Sequence, residues 1–192
     1  MEKLIRTSIQ DSIRAKEDIL ASLTLLETLE HVAAETIQIL KNGGKVLLCG
    51  NGGSAADAQH LAGEFVSRFR FDRPALPAVA LNCNASILTA IGNDYAYRLI
   101  FQRQVEALGQ PGDMLWAFSS TGNSENIRLA MQAARERGIR TVGFLGGSGG
   151  TCLEMADDAL LVPSPDTPRV QECHIMMGHI LCDCVEQALF GN

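Results

Sequence analysis

The sequence predicts an α/β fold in which a doubly wound, five-stranded parallel sheet is sandwiched by helices. Three observations support this prediction. Five short, largely apolar runs of four or five residues have the character of strands buried on both faces. Segments with apolar residues at helical spacing separate these runs, as the crossovers of a parallel sheet require. The length of 192 residues, with 46% hydrophobic and 20% charged residues, fits one ordinary globular domain over residues 1–192.

Two helices are predicted before the first strand. Apolar residues at helical spacing place the first over residues 4–26 and the second over 29–40, where Asn42-Gly43-Gly44 provides a C-terminal cap. Residues 1–42 then form an N-terminal helical part, and residues 43–192 form the α/β sandwich. Because the first helix has no neighbouring strand to cover, we expect it to pack against another subunit.

The remaining elements alternate along the chain. The predicted strands lie at residues 45–48, 78–81, 114–118, 141–145 and 159–162. The predicted helices lie at residues 55–66, 86–91, 99–108, 125–137, 151–155 and 170–190. Ligands of such sheets bind at the carboxyl ends of the strands, so the loops that leave the first three strands are the expected functional loops.

Charge and cysteine usage exclude several classes of function. The net charge of −6 argues against nucleic-acid binding and against an anionic membrane surface. We expect no membrane span, because no apolar run reaches about 18 residues. The six cysteines include no Cys-x-x-Cys pair and are expected to be free, buried thiols of a reducing compartment. The N-terminus lacks the apolar core of a signal peptide, so a cytoplasmic protein is predicted.

A glycine-rich loop follows the first strand and predicts a ligand site. Gly50, Gly52 and Gly53 tolerate positive φ and a close ligand, and Ser54 is the expected N-cap of the next helix. Free amides at a helix N-terminus favour an anion or a sugar. The spacing matches neither the dinucleotide fingerprint nor the nucleotide P-loop. A tight strand-to-helix turn without a ligand is the alternative interpretation.

The helix after this loop carries His60 and Glu64. Side chains four residues apart project from one helical face, so this pair can hold a metal ion or move protons. A histidine in a helix is more often an ordinary core or surface residue. The position of the pair, directly downstream of the glycine-rich loop, favours the functional interpretation.

A second loop, residues 119–126, follows the third strand and contains four hydroxyl side chains and Gly122 ahead of a helix. Hydroxyl and amide donors at a helix N-terminus suit a phosphate, although a serine-rich capped turn is the alternative. Residues 146–150, after the fourth strand, are expected to form a flexible turn. In the last helix, Gln171 and His179 lie two turns apart on roughly one face, although such apolar helices more often belong to the core.

Four motifs together resemble the sugar isomerase (SIS) family over nearly the whole chain. They occur in matching order and spacing at residues 49–64, 91–94, 119–124 and 169–179. The resemblance implies the SIS fold and a homotetramer whose active sites form at subunit interfaces. It also implies conversion of sedoheptulose 7-phosphate to D-glycero-D-manno-heptose 7-phosphate, the entry to bacterial heptose for lipopolysaccharide core or capsule.

The resemblance also implies roles for individual residues. It implies that a zinc ion is bound by His60, Glu64, Gln171 and His179. Of these, Glu64 and His179 are the implied catalytic acid/base pair, and Glu64 and Gln171 also contact the substrate. The implied sugar contacts are Asn51, Gly52, Gly53, Asn93 and Asp94. The implied phosphate contacts are Ser119, Ser120, Thr121 and Ser124.

The implied zinc ligands raise a geometric question. Eight helical residues span about 12 Å, so Gln171 and His179 of one helix reach the same ion only if Gln171 lies at a bent or frayed end. A ligand from a neighbouring subunit would also resolve the conflict.

Three alternative functions stay open at this point. The family includes a non-catalytic, tetrameric regulator of replication initiation that binds DnaA and lacks counterparts of Glu64 and His179. A module that only senses a sugar phosphate is the second alternative, and an isomerase for another ketose phosphate is the third. The presence of both acid/base candidates in this chain favours an enzyme.

Overall fold

The computed structural model describes residues 1–191, which contain a five-stranded, wholly parallel sheet. Its strands are β1 (Val46–Gly50), β2 (Ala78–Ala80), β3 (Met114–Ser119), β4 (Arg140–Gly146) and β5 (Asp158–Val162), and they lie in the order β2-β1-β3-β4-β5. Its helices are α1 (Glu2–Ala21), α2 (Leu23–Lys41), α3 (Gly53–Val66), α4 (Ala85–Asp94), α5 (Gln102–Leu108), α6 (Glu125–Glu136) and α7 (Thr167–Phe190). Short 3-10 helices lie at Tyr97–Leu99 and Gly150–Met155. The predicted doubly wound α/β fold is confirmed.

Helices cover both faces of the sheet because each strand alternates its side chains between them. On one face, Leu48, Trp116 and Phe144 pack in a core with residues of α1, α2, α3 and α7. On the other face, Leu47 and Leu115 pack in a core with residues of α4, α5 and α6. The central strands β1 and β3 are buried throughout, which explains why their sequences are continuously apolar.

The N-terminal helices are divided differently from the prediction. The chain breaks at Ser22, whose side chain accepts a hydrogen bond from the Leu25 amide and caps α2. The predicted boundary between residues 26 and 29 was wrong, because the leucines on both sides of Ser22 continue the apolar spacing and hide the cap. The predicted helix at 99–108 is likewise a short 3-10 helix followed by α5.

Helix α1 packs mainly against α7 and leaves an apolar face in solvent. Its Ala15 and Ile19 are buried, while the large apolar side chains on its outer side are exposed: Leu4, Ile5, Ile9, Ile13 and Leu20. The main contacts of α1 are therefore with the helices α7 and α2.

The cysteines and the helices can be compared with the expectations from composition. All six cysteines fall in the described part of the chain and are free, but only four are buried, because Cys83 and Cys184 are exposed. The expectation of uniformly buried thiols was wrong for these two. Within residues 1–191, no helix has the length and apolar character needed to cross a membrane.

Candidate active site

The loop between β1 and α3 is tighter than predicted, and its helix starts earlier. Gly52, with φ +57°, occupies the N-cap position, and α3 begins at Gly53. Ser54 is therefore not the N-cap; it is buried in the first turn, where its amide donates to the Asn51 carbonyl at 3.0 Å. A Cβ at Gly50 would lie 2.4 Å from the Ser54 carbonyl oxygen, so only glycine permits this close approach.

Three predicted residues meet where α3 packs beside α7. Nε2 of His60 lies 2.7 Å from Nε2 of His179 and 3.2 Å from a carboxylate oxygen of Glu64. One ligand atom from each residue lies within 4.8 Å of the others. Two imidazoles and a carboxylate form the three-ligand set of many catalytic zinc sites, which leave a fourth position open. This cluster could therefore hold a metal ion or relay a proton.

The surroundings of the cluster adjust its protonation. Burial lowers the pKa of His179, and the neighbouring His60 lowers it further, while Glu64 opposes the shift. The lowered pKa favours the neutral form of the His179 imidazole, which is the form that accepts a proton or binds a metal. One turn before His60 on α3, burial raises the pKa of Asp57 to about 6, against the influence of His60.

Gln171 does not join this cluster within one chain. A Cβ at Gly53 would lie 2.6 Å from Nε2 of Gln171, so the amide rests against the start of α3. Helix α7 begins at Thr167 and carries both Gln171 and His179, which are eight residues and about 12 Å apart along its axis. The geometric conflict noted from the sequence is therefore real for a single chain.

A crevice opens between the loops that follow β1 and β3, the topological switch point of this sheet. Asn51 and Asn126 exchange two side-chain hydrogen bonds across it, both of 2.9 Å. The Tyr97 hydroxyl donates to the Asn51 side-chain oxygen at 2.9 Å, and the Asn82 amide donates to the Gly50 carbonyl. Tyr97, Asn82 and Asn126 had not been singled out from the sequence. Of these, Asn126 could have been predicted, because it lies in the loop 119–126 beside a switch point.

The hydroxyl-rich loop after β3 has a defined shape. Ser119 is buried, and its hydroxyl donates to Ser124 at 3.2 Å. Thr121 accepts from the Asn123 amide at 3.3 Å, and Ser120 lies half-buried between these residues. The loop thus places Ser124 directly before the first turn of α6, whose free amides favour an anion.

The glycine-rich segment after β4 turns back against this loop and supports it. The Cys152 amide donates to the Gly122 carbonyl at 2.8 Å, and the Thr151 amide donates to Asn123 at 3.1 Å. Gly122 has φ +68°, and a Cβ there would collide with the Gly149 carbonyl. The two loops therefore pack backbone against backbone.

The other predicted sugar contacts lie at the end of α4. Asn93 and Asp94 are exposed, and the Asn93 amide donates to the Asp94 carboxylate at 2.8 Å. A nearby cavity of about 530 Å³ is lined by residues of the crevice and of α4, including Asn51, Gly52 and Gly92. Within one chain, the residues that line this cavity in the described structure do not include the His60–Glu64–His179 cluster.

Comparisons with known proteins extend over most of the chain. The SIS domain family matches residues 12–146. The chain is 58% identical to a phosphoheptose isomerase of Clostridium acetobutylicum, over 100% of this chain and 98% of that protein. It is 54% identical to a phosphoheptose isomerase of Aneurinibacillus thermoaerophilus, over 100% and 97% of the two chains. A solved phosphoheptose isomerase, GmhA from Neisseria gonorrhoeae, is similar with a TM-score of 0.91 and 42% identity, over 97% of this chain and 98% of that one.

Proposed function

The chain belongs to the SIS domain family and to its phosphoheptose isomerases, and we propose that it converts sedoheptulose 7-phosphate to D-glycero-D-manno-heptose 7-phosphate. The observation that carries the proposal is the convergence of His60, Glu64 and His179 from two helices onto one point. The high-identity relatives carry the isomerase name, so the DnaA-binding alternative has no support among them.

The reaction moves one proton from C1 to C2 and one from the C1 oxygen to the C2 oxygen. At carbon, a base removes a proton from C1 and an acid later delivers one to C2. At oxygen, the C2 carbonyl oxygen gains a proton as the enediol forms, and the C1 hydroxyl loses its proton as the new carbonyl forms at C1. Glu64 and His179 are the proposed pair, because their side chains lie together at the cluster and the neutral His179 imidazole can accept a proton. The order in which the two residues act is left open.

We assign His60, Glu64 and His179 as ligands of a zinc ion. A bound zinc ion would supply Lewis-acid polarisation of the substrate's carbonyl and hydroxyl oxygens. The chemistry of the donor set supports this assignment, because two imidazoles and one carboxylate leave room for substrate oxygens. Gln171 remains a proposed fourth ligand only if it comes from a different chain, whereas its place beside Gly53 supports its proposed contact with the substrate.

The crevice is proposed to bind the rest of the substrate. Ser119, Ser120, Thr121 and Ser124 would hold the phosphate with hydroxyl groups and the α6 amides. Asn51, Gly52 and Gly53, with Asn93 and Asp94, would hold the sugar hydroxyls. The hydrogen bonds from Thr151 and Cys152 to the loop after β3 support this role, because they hold the hydroxyl-rich loop in a fixed shape before the ligand arrives.

We propose that the complete site lies between subunits of a homotetramer. His60 lies seven residues beyond Gly53 on α3, about 10 Å along the helix, so the cluster and crevice of one chain are separated. The exposed apolar face of α1 supports assembly, since such a face is commonly covered by a partner. In this arrangement the cluster of one subunit completes the crevice of another. A cytoplasmic location and a role at the start of lipopolysaccharide or capsule heptose synthesis belong to the same proposal.

Turnover of sedoheptulose 7-phosphate by the purified protein tests the function. We expect aldose formation, its loss on treatment with a strong chelator, and its recovery on adding Zn²⁺. Sedoheptulose without its phosphate is the matched control substrate, and it should react far more slowly. No turnover by a folded, zinc-loaded tetramer would contradict the isomerase proposal, and full activity of a metal-free protein would contradict the zinc assignment.

A further inference from the structure

A buried ion pair joins Arg73 to Glu186, which lies two helical turns beyond His179 on α7. The side chains of Arg73 and Glu186 are 2% and 0% exposed, and their Nε and Oε1 atoms are 2.9 Å apart. A buried pair of this kind is expensive to desolvate and is a weak source of net stability. Net stability alone therefore does not account for this pair.

Arg73 closes the C-terminal end of α3, the helix that carries Glu64. One guanidinium nitrogen donates to the Glu64 carbonyl at 2.7 Å, and another donates to the Phe65 carbonyl at 2.7 Å. These carbonyls belong to the last turn, where no further intrahelical amide is available to them. A cation at this end also complements the helix dipole. Arg73 thus fixes the turn of backbone from which the Glu64 side chain projects.

Glu186 anchors the segment that follows α3. Its two carboxylate oxygens accept from the Phe69 amide at 2.8 Å and the Arg70 amide at 2.6 Å, in addition to Arg73. The Phe69 ring then lies against the His179 ring, with centroids 5.5 Å apart. Glu186 thus determines where Phe69 sits, and Phe69 forms one wall beside the His179 imidazole.

We propose that the Arg73–Glu186 pair is a positioning device for the isomerase site, holding the Glu64 turn of α3 and the Phe69 wall of His179 in fixed register. This inference rests on the proposed function, because the residues that the pair positions belong to the proposed isomerase site. It assigns the pair no contact with the substrate. Neither residue reaches the reacting atoms; each acts through the backbone or through a neighbouring ring. The Arg70–Asp183 pair nearby cannot replace it, because the Arg70 side chain is exposed, so solvent and salt screen the interaction.

The chain contains a closely matched control. Asp113 is also a buried carboxylate that accepts two backbone amides and one cation: the amides of Lys45 and Gln110 at 2.9 and 2.8 Å, and the Lys45 ammonium at 2.6 Å. It lies before β3, at the amino edge of the sheet and away from the cluster. Asp113→Asn therefore imposes the same chemical loss without touching α3 or Phe69.

The experiment compares Glu186→Gln, Glu186→Asp and Asp113→Asn. We measure kcat and KM for sedoheptulose 7-phosphate per folded chain, and Zn²⁺ affinity of the metal-free protein by competition with a chromophoric chelator. Both Glu186 variants should lower kcat at least tenfold with KM within twofold of wild type, and weaken Zn²⁺ binding at least tenfold. Asp113→Asn should lower stability while keeping kcat and Zn²⁺ affinity within twofold.

Three results would overturn the proposal. These are an unchanged kcat and Zn²⁺ affinity in folded Glu186→Asp, equal losses in Asp113→Asn, and failure of both Glu186 variants to fold, which would make the pair a determinant of the fold alone. If the wild type does not turn over the substrate, the proposed function fails. The Zn²⁺ titrations of wild type and Glu186→Asp then still decide whether the pair positions the cluster.

Discussion

Gly178 controls how closely α3 and α7 approach beside the His60–His179 contact. A Cβ at this position would lie 2.4 Å from Cδ1 and 2.8 Å from Cδ2 of Leu61, which is fully buried. Ordinary van der Waals contact begins at 3.4 Å, so the shorter approach falls about 1 Å short. Gly178 and Leu61 each directly adjoin one of the two histidines. The Gly178→Ala substitution should therefore push the two imidazoles apart.

The expected effect on stability is small. Replacing glycine by alanine in a helix contributes up to about 1 kcal/mol, while overpacking a core costs about 1–3 kcal/mol. The net loss in unfolding free energy should lie between zero and about 2 kcal/mol. The effect on catalysis should be larger, because a misplacement of about 1 Å can lower a rate on the order of 100-fold.

The assay pairs denaturant unfolding with steady-state turnover of sedoheptulose 7-phosphate. Gly63→Ala is the matched control, since Gly63 lies in α3, the helix that carries Leu61, and a Cβ there would meet no atom within 4 Å. It should raise stability by up to about 1 kcal/mol and leave kcat unchanged. A Gly178→Ala protein that folds normally and keeps kcat within twofold of wild type would refute the reasoning.

Two further predictions concern His174 and Tyr97. Burial lowers the pKa of His174 to about 4, although its contact with the Leu145 carbonyl opposes the shift. The unfolded chain binds this proton below about pH 6.5 and the folded chain only below about pH 4, so stability falls as pH falls through this window. In chemical denaturation, the unfolding free energy of His174→Gln should therefore fall by about 2 kcal/mol less than that of wild type between pH 7 and pH 5. An equal fall in both proteins would contradict the assignment. Tyr97→Phe removes the hydroxyl that orients Asn51, so KM should rise by up to about tenfold while kcat stays within twofold. An unchanged KM in steady-state kinetics would contradict this role.

The architecture could be predicted because its signals are local. Strands buried on both faces are continuously apolar, and the alternation of such runs with helices leaves few topologies. The His60–Glu64 pair was equally accessible, since a spacing of four residues puts two side chains on one helical face. These features depend on neighbours within a turn or a strand of the same element.

The errors arose where the outcome depends on a competing local geometry or on distant contacts. Ser54 is a strong N-cap type, but the positive φ of Gly52 allows α3 to start earlier. The pairing of Asn51 with Asn126 joins loops 75 residues apart, and no spacing rule describes it. The position of Gln171 depends on how α7 packs against α3, where the Gln171 amide lies beside Gly53.

The acid/base role of the cluster is the central claim, and the most direct measurement compares kcat of wild type, Glu64→Gln and His179→Ala on sedoheptulose 7-phosphate. His31→Ala is the control, because His31 is an exposed histidine of α2 outside the cluster. Removing a positioned acid or base should lower kcat about 10²–10⁴-fold in both cluster variants, with folding and assembly intact and the control unchanged. A kcat within tenfold of wild type in either folded cluster variant would contradict the account.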